Sequence, residues 1–100
     1  MVIYLYRWKI KSEKEAQFIK AWSYVTEQLR ERCGSLGSRL HQGNDGLWYG
    51  YAQWPSVETR EDSNINDEQV SEARRLMRDA TIERLPDIEL RPVSDFFNMN

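Results

Sequence analysis

The chain is predicted to fold as an α+β domain in the order βαββαβ, with two helices covering one face of a four-stranded antiparallel sheet. Three observations carry this. The chain opens on an aromatic, β-branched run, Val2 to Ile10, which is the composition of a strand. A long pattern of helical period follows it. A Gly-punctuated hairpin then ends in Tyr51-Ala52-Gln53-Trp54-Pro55, ahead of a second helical pattern and a last strand.

Each element has its own signal. In the first strand Tyr4, Tyr6, Trp8 and Ile10 share one side, and Ile3, Leu5, Arg7 and Lys9 share the other. Both sides are at least partly apolar, which a strand with one wet face would not show. Ser12 with Glu15 three residues later matches a capping box and sets a helix start at about residue 12. Phe18, Trp22, Val25, Leu29 and Cys33 recur on one helical face, and Gly34 is placed to end the helix. Leu36 to His41 alternates as a second strand, and Gly43-Asn44-Asp45-Gly46 reads as a tight turn.

The third strand, Leu47 to Trp54, sets Leu47, Tyr49, Tyr51 and Gln53 on one face and Trp48, Gly50, Ala52 and Trp54 on the other. Two small residues between two tryptophans leave a shallow hollow. A short helical turn is expected over residues 56–60 and a polar loop from Asp62 to Asp67, long enough to gate an entrance. The second helix is capped near Asn66 or Asp67 and has the apolar stripe Val70, Ala73, Met77 and Ala80. It is expected to run to about Leu85-Pro86, leaving Ile88, Leu90 and Val93 to the final strand, with Pro92 marking an edge or a bulge.

One hundred residues make one domain, spanning residues 1–100, with an adequate core. A formal charge of -2 argues against nucleic acid as a partner, because phosphate binding needs a basic surface. No apolar run approaches the roughly 20 residues of a membrane span, and the opening residues lack the basic start of a signal peptide. Cys33 is the single cysteine, which excludes an internal disulfide and makes a reducing cytoplasm the expected compartment. With one histidine and no close-set ligands, no metal site is expected. With no Gly-rich phosphate loop, no nucleotide cofactor is expected either. The charged helix positions, among them Arg74, Arg75 and Arg78, read as solvated surface.

The runs Gly34-Ser35-Leu36-Gly37-Ser38-Arg39-Leu40-His41, Asp45-Gly46-Leu47-Trp48 and Tyr51-Ala52-Gln53-Trp54-Pro55-Ser56 resemble the antibiotic biosynthesis monooxygenase domain. Arg7-Trp8-Lys9-Ile10-Lys11 and Val93-Ser94-Asp95 extend the likeness over nearly the whole chain. The resemblance implies a ferredoxin-like protomer whose sheet packs on a partner's sheet in a dimeric α+β barrel. A homodimer is the cover that the two-sided strands ask for. It also implies oxygenation of an aromatic or polycyclic small molecule with no metal, flavin or haem. There the deprotonated substrate itself donates an electron to dioxygen, and the protein supplies positioning and a base.

The family's tryptophan at the end of the third strand matches Trp54, whereas the position of an asparagine that often accompanies it holds Gly50. Haem-degrading relatives use a histidine on the second helix and an asparagine on the first strand, and neither is present here. The candidate catalytic residues are therefore Trp54 and His41, the latter sharing a strand face with Arg39. The candidate ligand contacts are Trp22, Trp48, Tyr51 and Arg39. The alternative is a non-catalytic dimeric α+β barrel that binds a small molecule or serves a structural role. An RNA-recognition motif has the same strand order, but here no Lys/Arg-Gly precedes Tyr49 and the charge balance is acidic.

Overall fold

A computed structural model describes residues 1–97. The elements are β1 (Val2–Ile10), α1 (Glu15–Arg32), β2 (Gly37–Gln42), β3 (Trp48–Trp54), α2 (Val57–Glu61), α3 (Glu68–Ala80) and β4 (Thr81–Leu90). The strands form one sheet in the order β2-β3-β1-β4, and every neighbouring pair is antiparallel. This is the split βαβ plan expected from the sequence, with β1 and β3 in the centre.

The even-numbered side of β1 and the Trp48/Trp54 side of β3 bury against the helices. Trp8, Ile10, Phe18, Trp48 and Ala80 form one core cluster. Phe18 is fully buried and meets Trp8 at 5.0 Å and Trp48 at 6.2 Å between ring centroids, both edge to face. That arrangement sets the positive edge of one ring on the negative face of the next and adds about 0.5–1.5 kcal/mol per pair beyond burial. A second cluster joins Val2, Tyr4, Ala52 and Trp54. In the third, Ala21, Val25 and Ala73 pack α1 on α3, with an alanine on each helix at the contact.

The helix ends follow local chemistry. Gly34 takes φ 81, the left-handed conformation that ends α1. Asp67 caps α3 by accepting the Val70 N–H at 2.8 Å, and Ser56 caps α2 by accepting that of Thr59 at 3.1 Å. The capping box predicted at Ser12 does not form. Residues Ser12–Lys14 make a 3-10 turn, and the Ser12 hydroxyl lies 3.5 Å from the Glu13 carboxylate instead of capping a backbone N–H. Of the two glycines in the hairpin turn, Gly46 has positive φ, at 85, and Gly43 does not. The Asp45 carboxylate accepts the Leu47 N–H at 2.9 Å and the Tyr49 hydroxyl.

The last strand departs from expectation. α3 ends at Ala80 and β4 begins at Thr81, seven residues before the expected start at Ile88. Pro86, rather than Pro92, sits at the bulge: the register passes from Leu5↔Ile88 to Arg7↔Leu85, so two residues of β4 face one of β1. The Arg7 guanidinium donates to the Pro86 carbonyl at 2.8 and 3.2 Å and holds the bulge. Val93 lies beyond the strand and is fully exposed. β4 is an edge strand with polar residues on both sides, so its sequence carries no alternation and reads as a continuing helix.

One buttress titrates. Asp79 on α3 accepts from Lys14 at 2.6 Å and from Gln17 at 2.9 Å, and these bonds lower its pKa from 3.8 to about 2. A carboxylate with a depressed folded-state pKa contributes stability above its unfolded value and loses it as the pH falls through the folded one. The melting temperature of the Lys14→Gln variant is therefore expected to lie below that of wild type at pH 6. The gap should close between about pH 4 and pH 2. A gap that is constant with pH would assign the Lys14 effect to packing.

Candidate functional site

Between the helices and the sheet lies a cavity of about 380 Å³. Its aromatic walls are Tyr6 and Trp8 from β1, Trp22 from α1 and Trp54 from β3. That volume is near the lower end of the roughly 300–1,000 Å³ typical of small-molecule pockets. The floor exists because β3 carries Gly50 and Ala52 between its two tryptophans. A Cβ at Gly50 would stand 3.0 Å from the Trp8 ring and 3.5 Å from the Trp22 indole nitrogen. The space that a side chain at position 50 would enter is filled by Trp8.

Trp54 is 2 % exposed and packs against Val2, Tyr4 and Ala52 while lining the cavity. Among the described residues its indole Nε1 is the sole buried side-chain nitrogen or oxygen without a hydrogen-bond partner. An unmet buried donor costs about 1–3 kcal/mol. Trp22 is half-buried on the facing helix. Trp48 is buried, but in the neighbouring cluster around Phe18.

Arginines close the mouth. Arg60 from α2, Arg74 from α3 and Arg84 from β4 all line the same cavity. The Arg60 guanidinium lies 4.0 Å from the Tyr4 ring centroid, donates to the Tyr6 hydroxyl at 2.9 Å, and sits 3.5 Å from Asp87. Burial works against its charge, but the Tyr6 bond, the two tyrosines and Asp87 more than offset this and hold its pKa above the ordinary value. The Arg84 guanidinium also stands 5.6 Å from the Tyr6 ring centroid and is bonded to Asp87 at 2.9 Å. The Tyr4 phenol is pushed up, first by burial and then by donating to Glu89 at 3.2 Å. It is therefore a neutral donor at pH 7.

The remaining candidates face the other way. His41 pairs with Tyr49 and Arg39 with Tyr51, on the sheet face that no helix covers. Arg39 and Tyr51 line a separate hollow of about 380 Å³ with Leu36, Gln53 and Phe97. The structure thus brings Trp54 and Trp22 together and sets His41, Arg39 and Tyr51 across the sheet from them. The sequence does not single out the arginines of the cavity, because helical spacing alone cannot say which edge of α3 overlooks a pocket. The polar loop hid a further feature: Ile65 is buried and anchors it, while Ser63 lines the cavity.

Among the described residues no three His, Cys, Asp or Glu side chains group as a metal site, and no helix is long and apolar enough to cross a membrane. No family model matches the chain, and no curated protein matches it. Solved structures do. An antibiotic biosynthesis monooxygenase superposes with a TM-score of 0.75 at 14% identity, over 94% of this chain and 100% of the other. A candidate antibiotic biosynthesis monooxygenase from Bordetella bronchiseptica gives 0.76 at 15%, over 93% and 97%. A further candidate from Nitrosomonas europaea gives 0.74 at 17%, over 94% and 100%. The chain therefore has the ferredoxin-like α+β fold of the antibiotic biosynthesis monooxygenase structures, the fold its sequence motifs resemble.

Proposed function

We propose that this protein is a cytoplasmic, homodimeric, cofactor-independent monooxygenase that oxidises a planar phenolic or polycyclic aromatic molecule in the Trp54 cavity. The observation that carries the reading is the pairing of aromatic walls with arginines at the mouth. Flat rings gain burial and stacking from Trp8, Trp22 and Trp54. Guanidinium groups favour the deprotonated, electron-rich form of a bound phenol, which is the form that can reduce dioxygen. A phenol has a pKa of about 10, and each unit by which the site lowers it takes about 1.4 kcal/mol of differential interaction. Glu61 is the carboxylate that lines the cavity and is the proposed proton acceptor.

The reaction balances without a cofactor. A ring CH₂ flanked by aryl groups loses a proton, the carbanion passes one electron to dioxygen, and the two radicals combine as a peroxide. Loss of water then leaves the ketone, so CH₂ and O₂ give C=O and H₂O. The unpartnered Trp54 N–H is the proposed donor to a ligand oxygen. With an anthrone as probe, wild-type protein is expected to consume one O₂ per quinone formed. Arg60→Gln should lower kcat/KM by about 100-fold, the scale of removing one preorganised charge-stabilising group. Binding of the anthrone with oxygen uptake no faster than the blank would leave a binding protein and refute the enzyme.

A further inference from the structure

The Trp54 cavity does not end at Trp8. A second hollow of about 250 Å³ adjoins it, and the two share Trp8, Arg74, Met77 and Arg84 as a common wall. Arg78, one helical turn beyond Arg74 on α3, lines the second hollow together with Glu83. Three arginines therefore border this annex against a single carboxylate, in a chain whose formal charge is -2. Their pairing is uneven. Arg84 is bonded to Asp87 at 2.9 Å, and Arg75, their neighbour on α3, is neutralised by Glu72. Arg74 and Arg78 form no ion pair among the described residues.

We propose that the ligand of this pocket is an aromatic carboxylic acid. Its ring system lies between Trp8, Trp22 and Trp54, and its carboxylate lies in the annex against Arg74 and Arg78. The inference rests on the aromatic-pocket reading above and adds the acidic substituent to it. Two unpaired guanidinium forks one turn apart match the two oxygens of a carboxylate, which arginine binds bidentately. Glu83 in the same hollow opposes a dianion and so selects the carboxylate over a phosphate monoester.

The test compares two probes of one shape, 2-naphthol and 6-hydroxy-2-naphthoate, titrated calorimetrically at pH 7 into the wild-type protein and the Arg74→Gln/Arg78→Gln variant. Both positions are exposed on α3, and circular dichroism checks that the variant is folded. Wild type is expected to bind the naphthoate about tenfold tighter than the naphthol, the scale of one charge-assisted bidentate contact. In the variant that ratio should fall to about one, and high salt should shrink it in wild type by screening. A phosphorylated naphthol that binds tighter than the naphthoate would overturn the choice of carboxylate. Equal binding of naphthol and naphthoate by wild type, or a ratio that survives in the variant, would overturn the acidic substituent while leaving the aromatic pocket in place. Failure of both probes to bind would remove the pocket reading, and this inference with it.

Discussion

Replacing Trp54 with alanine is expected to cost about 3–5 kcal/mol of folding stability, the range for deleting a large buried aromatic side chain. Trp54 is 2 % exposed and bridges β1, β3 and α2 through Val2, Tyr4, Ala52 and Val57. A domain of this size is stable by only about 5–15 kcal/mol, so the alanine variant should be partly unfolded at 37 °C. Trp54→Phe separates packing from chemistry, because it keeps a ring in the core and deletes the unpartnered N–H. Without a ligand, removing an unmet donor should leave stability close to that of wild type or raise it. With an anthrone bound, the same change should weaken affinity by about 1 kcal/mol. Urea unfolding and ligand titration of the two variants read these effects independently. If Trp54→Phe binds the anthrone as well as wild type, the indole N–H has no role in recognition.

Sedimentation equilibrium at micromolar concentration is expected to give a mass near twice the 11.9 kDa of one chain. On the sheet face without helices, Leu5 from β1 and Tyr49 and Tyr51 from β3 are half-buried and Ile88 and Leu90 from β4 are exposed, aligned by cross-strand register, while Ile3 beside them is buried. Beyond β4, Val93, Phe96 and Phe97 are largely exposed, and Phe97 reaches the β2–β3 hollow at the far side of this face. The single chain exposes 6826 Å², against about 6,000 Å² for a compact monomer of its mass. A contiguous apolar face of this kind is rare on a monomer. Leu5 sits at its centre, opposite Tyr51 on one side and Ile88 on the other. Leu5→Asp should raise the dimer dissociation constant by at least about 100-fold, because association would strip water from an unpaired charge. A wild-type protein that sediments as a monomer would refute the dimer, and would return His41, Arg39 and Tyr51 to a solvent-facing surface.

Much of the architecture was legible because each signal is local. The 3.6-residue recurrence from Phe18 to Cys33 marks the buried face of α1, and Asn44-Asp45-Gly46 places the hairpin with Gly46 in the left-handed region. Both parity classes of β1 carry apolar residues, Tyr4, Tyr6, Trp8 and Ile10 on one and Ile3 and Leu5 on the other, which is why a cover on both sheet faces is expected. The misreadings have equally local causes. Ser12 and Glu15 match a capping box in spacing, yet the chain leaves β1 through a 3-10 turn that moves the helix start to Glu15. Residues 81–87 carry no alternation because an edge strand exposes both sides, so the helical pattern of α3 appears to continue through them.

The sequence alone determined the order of strands and helices, the buried face of α1 and the grouping of Trp48, Gly50, Ala52 and Trp54 on one face of β3. These follow from periodicity, which one chain segment carries by itself. Only the tertiary structure decided that Trp54 and Trp22 share a cavity while His41, Arg39 and Tyr51 lie across the sheet. Only it showed that Arg60, Arg74 and Arg84 meet there from α2, α3 and β4. The physical reason is that a pocket is a property of surfaces brought together. Its polar residues sit on helix edges and an edge strand, where burial is partial and periodicity is weak. Their convergence is set by how α3 packs on the sheet and where the Pro86 bulge aims β4.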